Sequence, residues 1–457
     1  MKETIPQPAP PAPLGPSLVT RVGAFIQSLA SRGAEGAMIR RNVGWLIGDR
    51  VFRLVVGLGV NVWMVRYLGA DTLGLLSFSQ SVVAVLAILS QLGLETIVVR
   101  DLVRRPDEAD SILGTALGMR LAGAALTLAL SLAAMTALRP GESGPRLLAL
   151  IFAGATFFQS LDVIEYWFQS RSLVAPFVAA RATAFVAISI AKVVALLSGA
   201  SLQTLALLIA GEFACAALAL LIGYRLHGVS PASWRFEPKR ALGLLRDSWP
   251  LILNSVAILV SMRADQTILT TLRGDHENGI YAAAQRLTEI IYFVPVAMMA
   301  AANPTLLRSY QRDGEEYGRR LGRVFSLLFW GAIVIAIGVS ALSGWIVMRL
   351  FGPGFRAAGP VLAIQVWSAP ALFLGVAQTN WFVARGRQRA LMLRSVVGAV
   401  TSLIANLWLV PPLGARGAAI AMVISQTAAH VLTNLAFPST RALFRLQWRA
   451  VVPTPIR

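Results

Sequence analysis

Apolar runs of about 20 residues recur about twelve times along the chain, each continuous rather than alternating with polar residues. A run of that kind fits a helix crossing a hydrocarbon core of about 30 Å, whereas a barrel strand would alternate over about ten residues. The pattern predicts spans at roughly 43–66, 74–99, 111–138, 146–169, 174–198, 202–224, 248–272, 279–307, 322–349, 358–384, 391–411 and 415–437. Helices and short loops then use nearly all of the 457 residues, which leaves no room for a large soluble domain. The predicted fold class is an all-α integral membrane protein with about twelve transmembrane helices.

The longest internal polar stretch, 225–247, carries Pro231, Pro238, Arg235, Lys239, Arg240 and Arg246. It divides the chain into an N-terminal six-helix lobe (42–224) and a C-terminal six-helix lobe (248–437), with 438–457 left as a tail. Residues 1–16 are proline-rich and of low hydrophobicity, which predicts a disordered tail. Over 17–41, Val19, Val22, Phe25, Ile26 and Leu29 alternate with Arg21, Arg32, Arg40 and Arg41, the signature of an amphipathic segment lying on a membrane surface. The two lobes echo each other. Asp71, Gly74 and Gln80 open the second span as Asp275, Gly279 and Gln285 open the eighth, with the same Gly-to-Gln spacing. Repeats separated by six helices share one orientation, and their interface, a central cavity, is where a substrate site is expected.

Composition agrees with this class: 56% hydrophobic, 14% charged and a mean hydropathy of +0.66. The net charge of +19 does not indicate nucleic acid, because the basic residues flank helices instead of gathering on one soluble face. About 27 of the 41 Lys and Arg fall in the loops on the side that holds both termini and about 7 in the opposite loops, which places both termini in the cytoplasm. Cys215 is the single cysteine, so no intramolecular disulfide forms.

Charge inside the spans is the clearest pointer to function. An arginine at the centre of a membrane helix costs roughly 2.5–3.5 kcal/mol on insertion scales, so such groups persist where they face water or a partner. The buried charges read from the sequence are Asp49, Arg50, Arg53, Glu95, Arg120, Asp162, Glu165, Arg181, Lys192, Glu212, Arg263, Asp265, Arg286 and Glu289, all in the first eight spans. Asn42, Asp49 and Arg53 share one face of the first span, with Arg50 beside them; an i,i+4 pair between Asp49 and Arg53 is the plain structural alternative. Tyr281, Gln285, Glu289, Tyr292 and Asn303 form a polar stripe on the eighth span, readable as a cavity wall or as a hydrogen-bonded seam between helices, with Pro295 able to loosen the helix. Arg181, Lys192, Asp162 and Glu165 read as mutual charge balance, and Glu95 and Glu212 as isolated carboxylates that either carry protons or pair with an arginine elsewhere. Neither a phosphate-binding loop nor an HExxH motif occurs, and His227, His276 and His430 lack metal-ligand spacing, so no cofactor and no metal are expected.

The run Asn42-Val-Gly-Trp45-Leu-Ile-Gly-Asp49-Arg50-Val-Phe-Arg53, with Val65-Arg66-Tyr67-Leu68-Gly69, Gly74-Leu-Leu-Ser-Phe78, Leu92-Gly93-Leu94-Glu95 and Val98-Val99-Arg100-Asp101-Leu102, resembles the opening of the Wzx-type polysaccharide flippases. These belong to the multidrug, oligosaccharidyl-lipid and polysaccharide exporters. Ile112-Leu113-Gly114-Thr115-Ala116 and Pro411-Pro412-Leu413-Gly414-Ala415-Arg416-Gly417-Ala418-Ala419-Ile420-Ala421 extend the resemblance over nearly the whole chain after residue 40. It implies two six-helix lobes around a central cavity in the bacterial inner membrane. It also implies an undecaprenyl-diphosphate-linked oligosaccharide as substrate and an ion gradient in place of ATP, with membrane lipids, a polysaccharide polymerase and export machinery as partners. Against that task, Arg50, Arg53, Arg263 and Arg286 are the expected diphosphate ligands, with Arg120, Gln285 and Tyr292 completing the substrate set; Asp49, Glu95 and Glu289 are the ion-coupling candidates. The four arginines are expected to follow the internal repeat. Two rivals stand beside this reading: a drug exporter of the same fold, which needs a net acidic cavity, and a glycan polymerase or ligase, which would work through Arg146, Arg349 or Arg356 on the opposite-side loops.

Overall fold

The computed structural model describes residues 34–312, 314–385 and 387–452. The 1–16 tail, most of the 17–41 segment and the side chains of Asp49 and Arg50 lie outside the described residues. In the first lobe the helices are α1 (Ala34–Leu86), α2 (Ile88–Gln91), α3 (Glu95–Arg104), α4 (Ala109–Leu138), α5 (Ser143–Gln159), α6 (Val163–Ser170), α7 (Val174–Leu197) and α8 (Leu202–Leu226). The second lobe contains α9 (Pro238–Arg273), α10 (Asp275–Ile291), α11 (Phe293–Arg312), α12 (Gly314–Leu350), α13 (Ala358–Gln365), α14 (Ala369–Ala384), α15 (Gln388–Thr427), α16 (Thr433–Ala436) and α17 (Arg441–Val451). No strand occurs among the described residues.

Nine helical stretches among the described residues are long and apolar enough to cross a membrane. The two longest, Val56–Arg104 and Ala390–Ala436, are interrupted by glycines in left-handed backbone, Gly69 (φ 70°) and Gly414 (φ 56°), so each can supply two crossings. The polar stretch through α10 and α11 falls outside those nine, and with it the architecture is consistent with twelve crossings. Its break at Tyr292 has a local cause. Pro295 has no N–H to give the carbonyl of Ile291, and the helix stops there and restarts at Phe293. The fourth span is likewise broken, by a 3-10 turn at Ser160–Asp162, and the second by left-handed Leu92 and Gly93.

The internal repeat is visible in the backbone. Gly69 (φ 70°, ψ 175°) and Gly274 (φ 88°, ψ 176°) turn the chain in the same way 205 residues apart. Five residues on, Gly74 and Gly279 make reciprocal contacts across the lobes: a Cβ on Gly74 would lie 1.8 Å from the Asp275 carbonyl oxygen, and one on Gly279 1.8 Å from that of Ala70. This end, the turn end, is sealed by an apolar cluster drawn from both lobes, including Val65, Leu73, Leu269, Ile280, Tyr281 and Ala418. Polar contacts rim it: Arg139 to Asp275 at 2.6 Å, His276 to Asp71 at 3.2 Å, Asn278 Nδ2 to the Gly74 carbonyl at 2.8 Å and Arg66 to the Arg349 carbonyl at 2.5 Å. Burial at this rim pushes the Asp275 carboxyl up from its ordinary range, with Arg139 pulling against it.

At the opposite end the lobes keep separate cores, one around Trp167, Phe168 and Tyr224 and one around Phe325, Phe373 and Trp381. The linker docks on the first. Gly114 lets the Arg235 backbone approach, the Glu237 N–H donates to Thr115 Oγ1 at 3.1 Å, and Arg240 pairs with Glu108. That is the structural content of the Ile112–Ala116 motif. The 438–457 segment contains α17, which is amphipathic and buries Leu443, Gln447 and Ala450 against the second lobe.

Candidate functional site

Between the sealed turn end and the separate cores lies a cavity of about 500 Å³. The first lobe lines it with Ser77, Gln80, Gln91, Thr156 and Gln159, the second with Arg263, Gln266, Gln285, Arg286 and Glu289. A chain of contacts crosses it: Ser81 Oγ donates to Gln266 Oε1 (2.6 Å), Gln266 Nε2 to Gln285 Oε1 (2.6 Å) and Gln285 Nε2 to Glu289 Oε1 (3.2 Å), and Arg263 reaches Glu289 at 3.6 Å. Arg286 donates to Asn61 Oδ1 at 3.4 Å. Asn61 and Gln266 are 205 residues apart, as are Ser81 and Arg286. The two inter-lobe contacts are therefore repeat partners, made from unlike residues.

A side chamber of about 390 Å³ shares Arg286 and Glu289 with the central cavity and is closed by Arg53, Asn61 and Phe185. Arg53 stacks over the Phe185 ring at 5.0 Å and lies 3.8 Å from Glu212, which also meets Lys192 at 3.4 Å. Among the described residues, the two chambers are lined by three arginines, Arg53, Arg263 and Arg286, and one carboxylate, Glu289.

The structure thus brings together Arg53, Arg263, Arg286, Gln285 and Glu289. Arg120 and Glu95 are elsewhere, in an adjoining chamber lined mostly by the first lobe. Arg120 donates to Tyr166 Oη and to the Gln159 carbonyl, both at 2.6 Å, the latter at the broken fourth span. Glu95 accepts from Gln169 at 3.2 Å. Tyr292 lines neither of the two chambers just described; its hydroxyl meets Ser368 Oγ at 2.8 Å, so the polar stripe is cavity wall at Gln285 and Glu289 and helix seam at Tyr292. Asp265 is buried, accepting from Tyr281 Oη and the Gln266 N–H. Charge balance holds for Arg181, which meets Glu165 at 2.6 Å and Asp162 at 3.2 Å.

Two expectations need correction and one is sharpened. The arginines do not follow the repeat: 205 residues before Arg263 and Arg286 stand Leu58 and Ser81, and 205 after Arg53 stands Ile258. Glu212 is isolated along the sequence but not in the fold, where it takes the pairing alternative and faces Arg53 and Lys192. The buried charges are not confined to the first eight spans, because Arg394, in the eleventh, is 8% exposed beside the half-buried His430 of a π-helical turn at Ala428–Leu432. Asn61, Ser81 and Gln266 belong to the site without any charge to mark them in the sequence. Extending the Gly-to-Gln repeat backward by the same offset would have paired Asn61 with Gln266.

Comparison with known proteins follows the same lines. The "Probable flippase AglR" of Haloferax volcanii is 28% identical over 165 residues, 35% of this chain and 34% of that protein, so the match spans about a third of that relative's length. The fold is similar to the lipid II flippase MurJ in an inward closed conformation (TM-score 0.69, 13% identity, 90% of this chain and 91% of that one). It is also similar to an inward-facing multidrug resistance MATE family transporter of the MOP superfamily (TM-score 0.68, 14% identity, 88% and 96%). A family model described as MatE matches residues 250–408, and one described as polysaccharide biosynthesis protein matches residues 39–310, more than half of the chain. The chain belongs to the polysaccharide biosynthesis protein family and is a multi-pass membrane protein.

Proposed function

We propose that this protein turns an undecaprenyl-diphosphate-linked oligosaccharide from the cytoplasmic to the periplasmic leaflet of a bacterial inner membrane, for use by a polysaccharide polymerase and export machinery. The observation that carries the reading is the lining of the two joined chambers, three arginines against one carboxylate among the described residues. Guanidinium groups present a planar fork of donors matched to phosphate oxygens, and their charge counts for more in a partly dry cavity than in water. Asn61 and the Ser81–Gln266–Gln285 chain hold the second lobe's polar groups in place before substrate arrives. The polyprenyl tail stays in lipid. With both termini cytoplasmic by the positive-inside rule, the turn end faces the periplasm and the present state receives substrate from the cytoplasm.

Ion coupling falls on Glu289. It is the carboxylate nearest Arg263, at 3.6 Å, so a diphosphate that claims Arg263 releases Glu289 to take up a proton or cation, and return of the pair follows substrate release. Glu95, exposed and bonded to Gln169, has no such link to the arginines of the central cavity. A small-molecule exporter is the second reading, favoured by the MatE match over 250–408. An organic cation would meet the net positive charge of these chambers unfavourably.

Thermal-shift binding of bare undecaprenyl diphosphate and of tetraphenylphosphonium to the purified protein separates the two. A charge-assisted hydrogen bond contributes roughly 1.5–3 kcal/mol, so Arg263→Ala or Arg286→Ala should weaken the diphosphate about ten- to a hundredfold. Stabilisation by tetraphenylphosphonium alone refutes the flippase reading.

A further inference from the structure

The adjoining chamber, lined mostly by the first lobe, lies outside the proposed diphosphate site. We propose that it is the subsite for the glycan of the same substrate, taking an uncharged, hydroxyl-rich saccharide; this rests on the diphosphate reading and assigns the other end of the ligand. The chamber measures about 410 Å³, within the range of small-molecule sites, and Gln91 and Gln159 line both it and the central cavity. A ligand anchored by its diphosphate on Arg263 and Arg286 has a continuous polar route into it.

Its chemistry differs from that of the centre. Glu95, Asp162 and Glu165 face Arg120 and Arg181, so carboxylates outnumber guanidinium groups where the central chambers have the reverse. The diphosphate is therefore drawn to the centre, while paired carboxylates and guanidinium groups offer sugar hydroxyls both acceptors and donors. Hydrogen-bonding capacity is left unused here. Arg120 is 2% exposed with Nε unpartnered, and Asn254 Oδ1 is buried without a hydrogen-bond partner. Buried polar atoms of this kind are uncommon in native proteins and call for an explanation such as a ligand or water. The chamber's edge also holds a strained backbone, with Leu92 in left-handed conformation (φ 52°) between the lining residues Gln91 and Gly93.

Leu251, Asn254 and Ser255 belong to α9, at the start of the second lobe, so the chamber is built between lobes. When the lobes rock, this wall leaves the rest of the chamber and the glycan loses contacts. The site then holds sugar in one state and releases it in the other.

Asn254→Leu and Ser255→Ala test the assignment, measured by binding in nanodiscs with three probes: bare undecaprenyl diphosphate, the lipid-linked oligosaccharide extracted from cells lacking this transporter, and the free oligosaccharide released from it by mild acid. Melting temperatures check folding, and Asn254 Oδ1 has no hydrogen bond in this structure to lose. Wild type should bind the glycolipid about tenfold tighter than the bare diphosphate, and both variants should lose that advantage while holding the bare lipid within twofold. Equal losses on both lipids, or unchanged glycolipid binding, overturn the glycan subsite. If wild type fails to bind bare undecaprenyl diphosphate, the diphosphate reading falls on its own; the free oligosaccharide then decides the subsite, supporting it if Asn254→Leu weakens binding and overturning it if not.

Discussion

Adding one methyl group at Gly279 should open the turn end. A Cβ there lies 1.8 Å from the Ala70 carbonyl oxygen and 2.6 Å from its carbon, against the 3.4 Å at which ordinary contact begins, so the lobes must part locally by about 1.6 Å. The obstacle is backbone, which cannot swing aside as a side-chain tip can. Overpacking of this kind costs about 1–3 kcal/mol, and it is felt only while the turn end is closed, so the ratio of closed to open should fall about five- to 150-fold. Gly74→Ala, meeting the Asp275 carbonyl at the same 1.8 Å, should act alike because the two contacts are repeat partners. The read-out is the rate of maleimide labelling at Ala70→Cys, a position 7% exposed, with the single native cysteine removed as Cys215→Ser. Gly331→Ala, with nothing within 4 Å, is the control for helix propensity, about 1 kcal/mol in alanine's favour. Labelling should be at least fivefold faster in both gate variants and unchanged in the control. Wild-type labelling rates in both gate variants, with normal melting, would refute the idea that this glycine pair closes the gate.

Two further outcomes test the site and its frame. Replacing Arg53 with Ala should abolish export in a complementation assay and Lys should restore only part of it, since a point charge lacks the fork; because Glu212 lies 3.8 Å from Arg53, recovery in the Arg53→Gln, Glu212→Gln double variant would instead mark Arg53 as a structural counter-charge. Gly114→Ala should push the linker off the first lobe, as its Cβ would lie 2.5 Å from the Arg235 backbone, and limited trypsin digestion should then cut at Arg235, Lys239 or Arg240 several times faster than in wild type.

The all-α membrane architecture is legible in the sequence because an apolar helix advertises itself over 20 residues. The repeat also shows, because Gly74 and Gly279 cannot be anything larger where two backbones touch. Legibility fails where the decisive neighbour is distant in sequence. Nothing near Arg53 in the sequence indicates that Glu212, on another helix, lies 3.8 Å from its guanidinium group. Arg120 reads as a cavity group by burial alone, yet the carbonyl it holds is freed by a 3-10 turn that no residue at Ser160–Asp162 announces. Arg394 was lost for a different reason. It sits near the polar edge of its span and passes for one more loop arginine, although the fold buries it.

The repeat that builds the scaffold does not build the charge. Asn61 and Gln266, Ser81 and Arg286, and Ala84 and Glu289 are partners under the 205-residue shift, and in the last two pairs the ionised group is on the second lobe only. Leu58 and Arg263 add a third such pair. A symmetric pair of lobes can rock about their common axis whatever lines the cavity, because closure at the turn end depends on glycine backbones and apolar packing rather than on the site. Asymmetric charge then gives that motion a cargo: an anion held mainly by one lobe stays with it, instead of bridging both and locking them together. Arg53 is the exception, the first lobe's arginine in the chamber that also holds Arg286. A ligand shared between these two must be given up by one of them when the lobes part, which is the step at which bound substrate would be released.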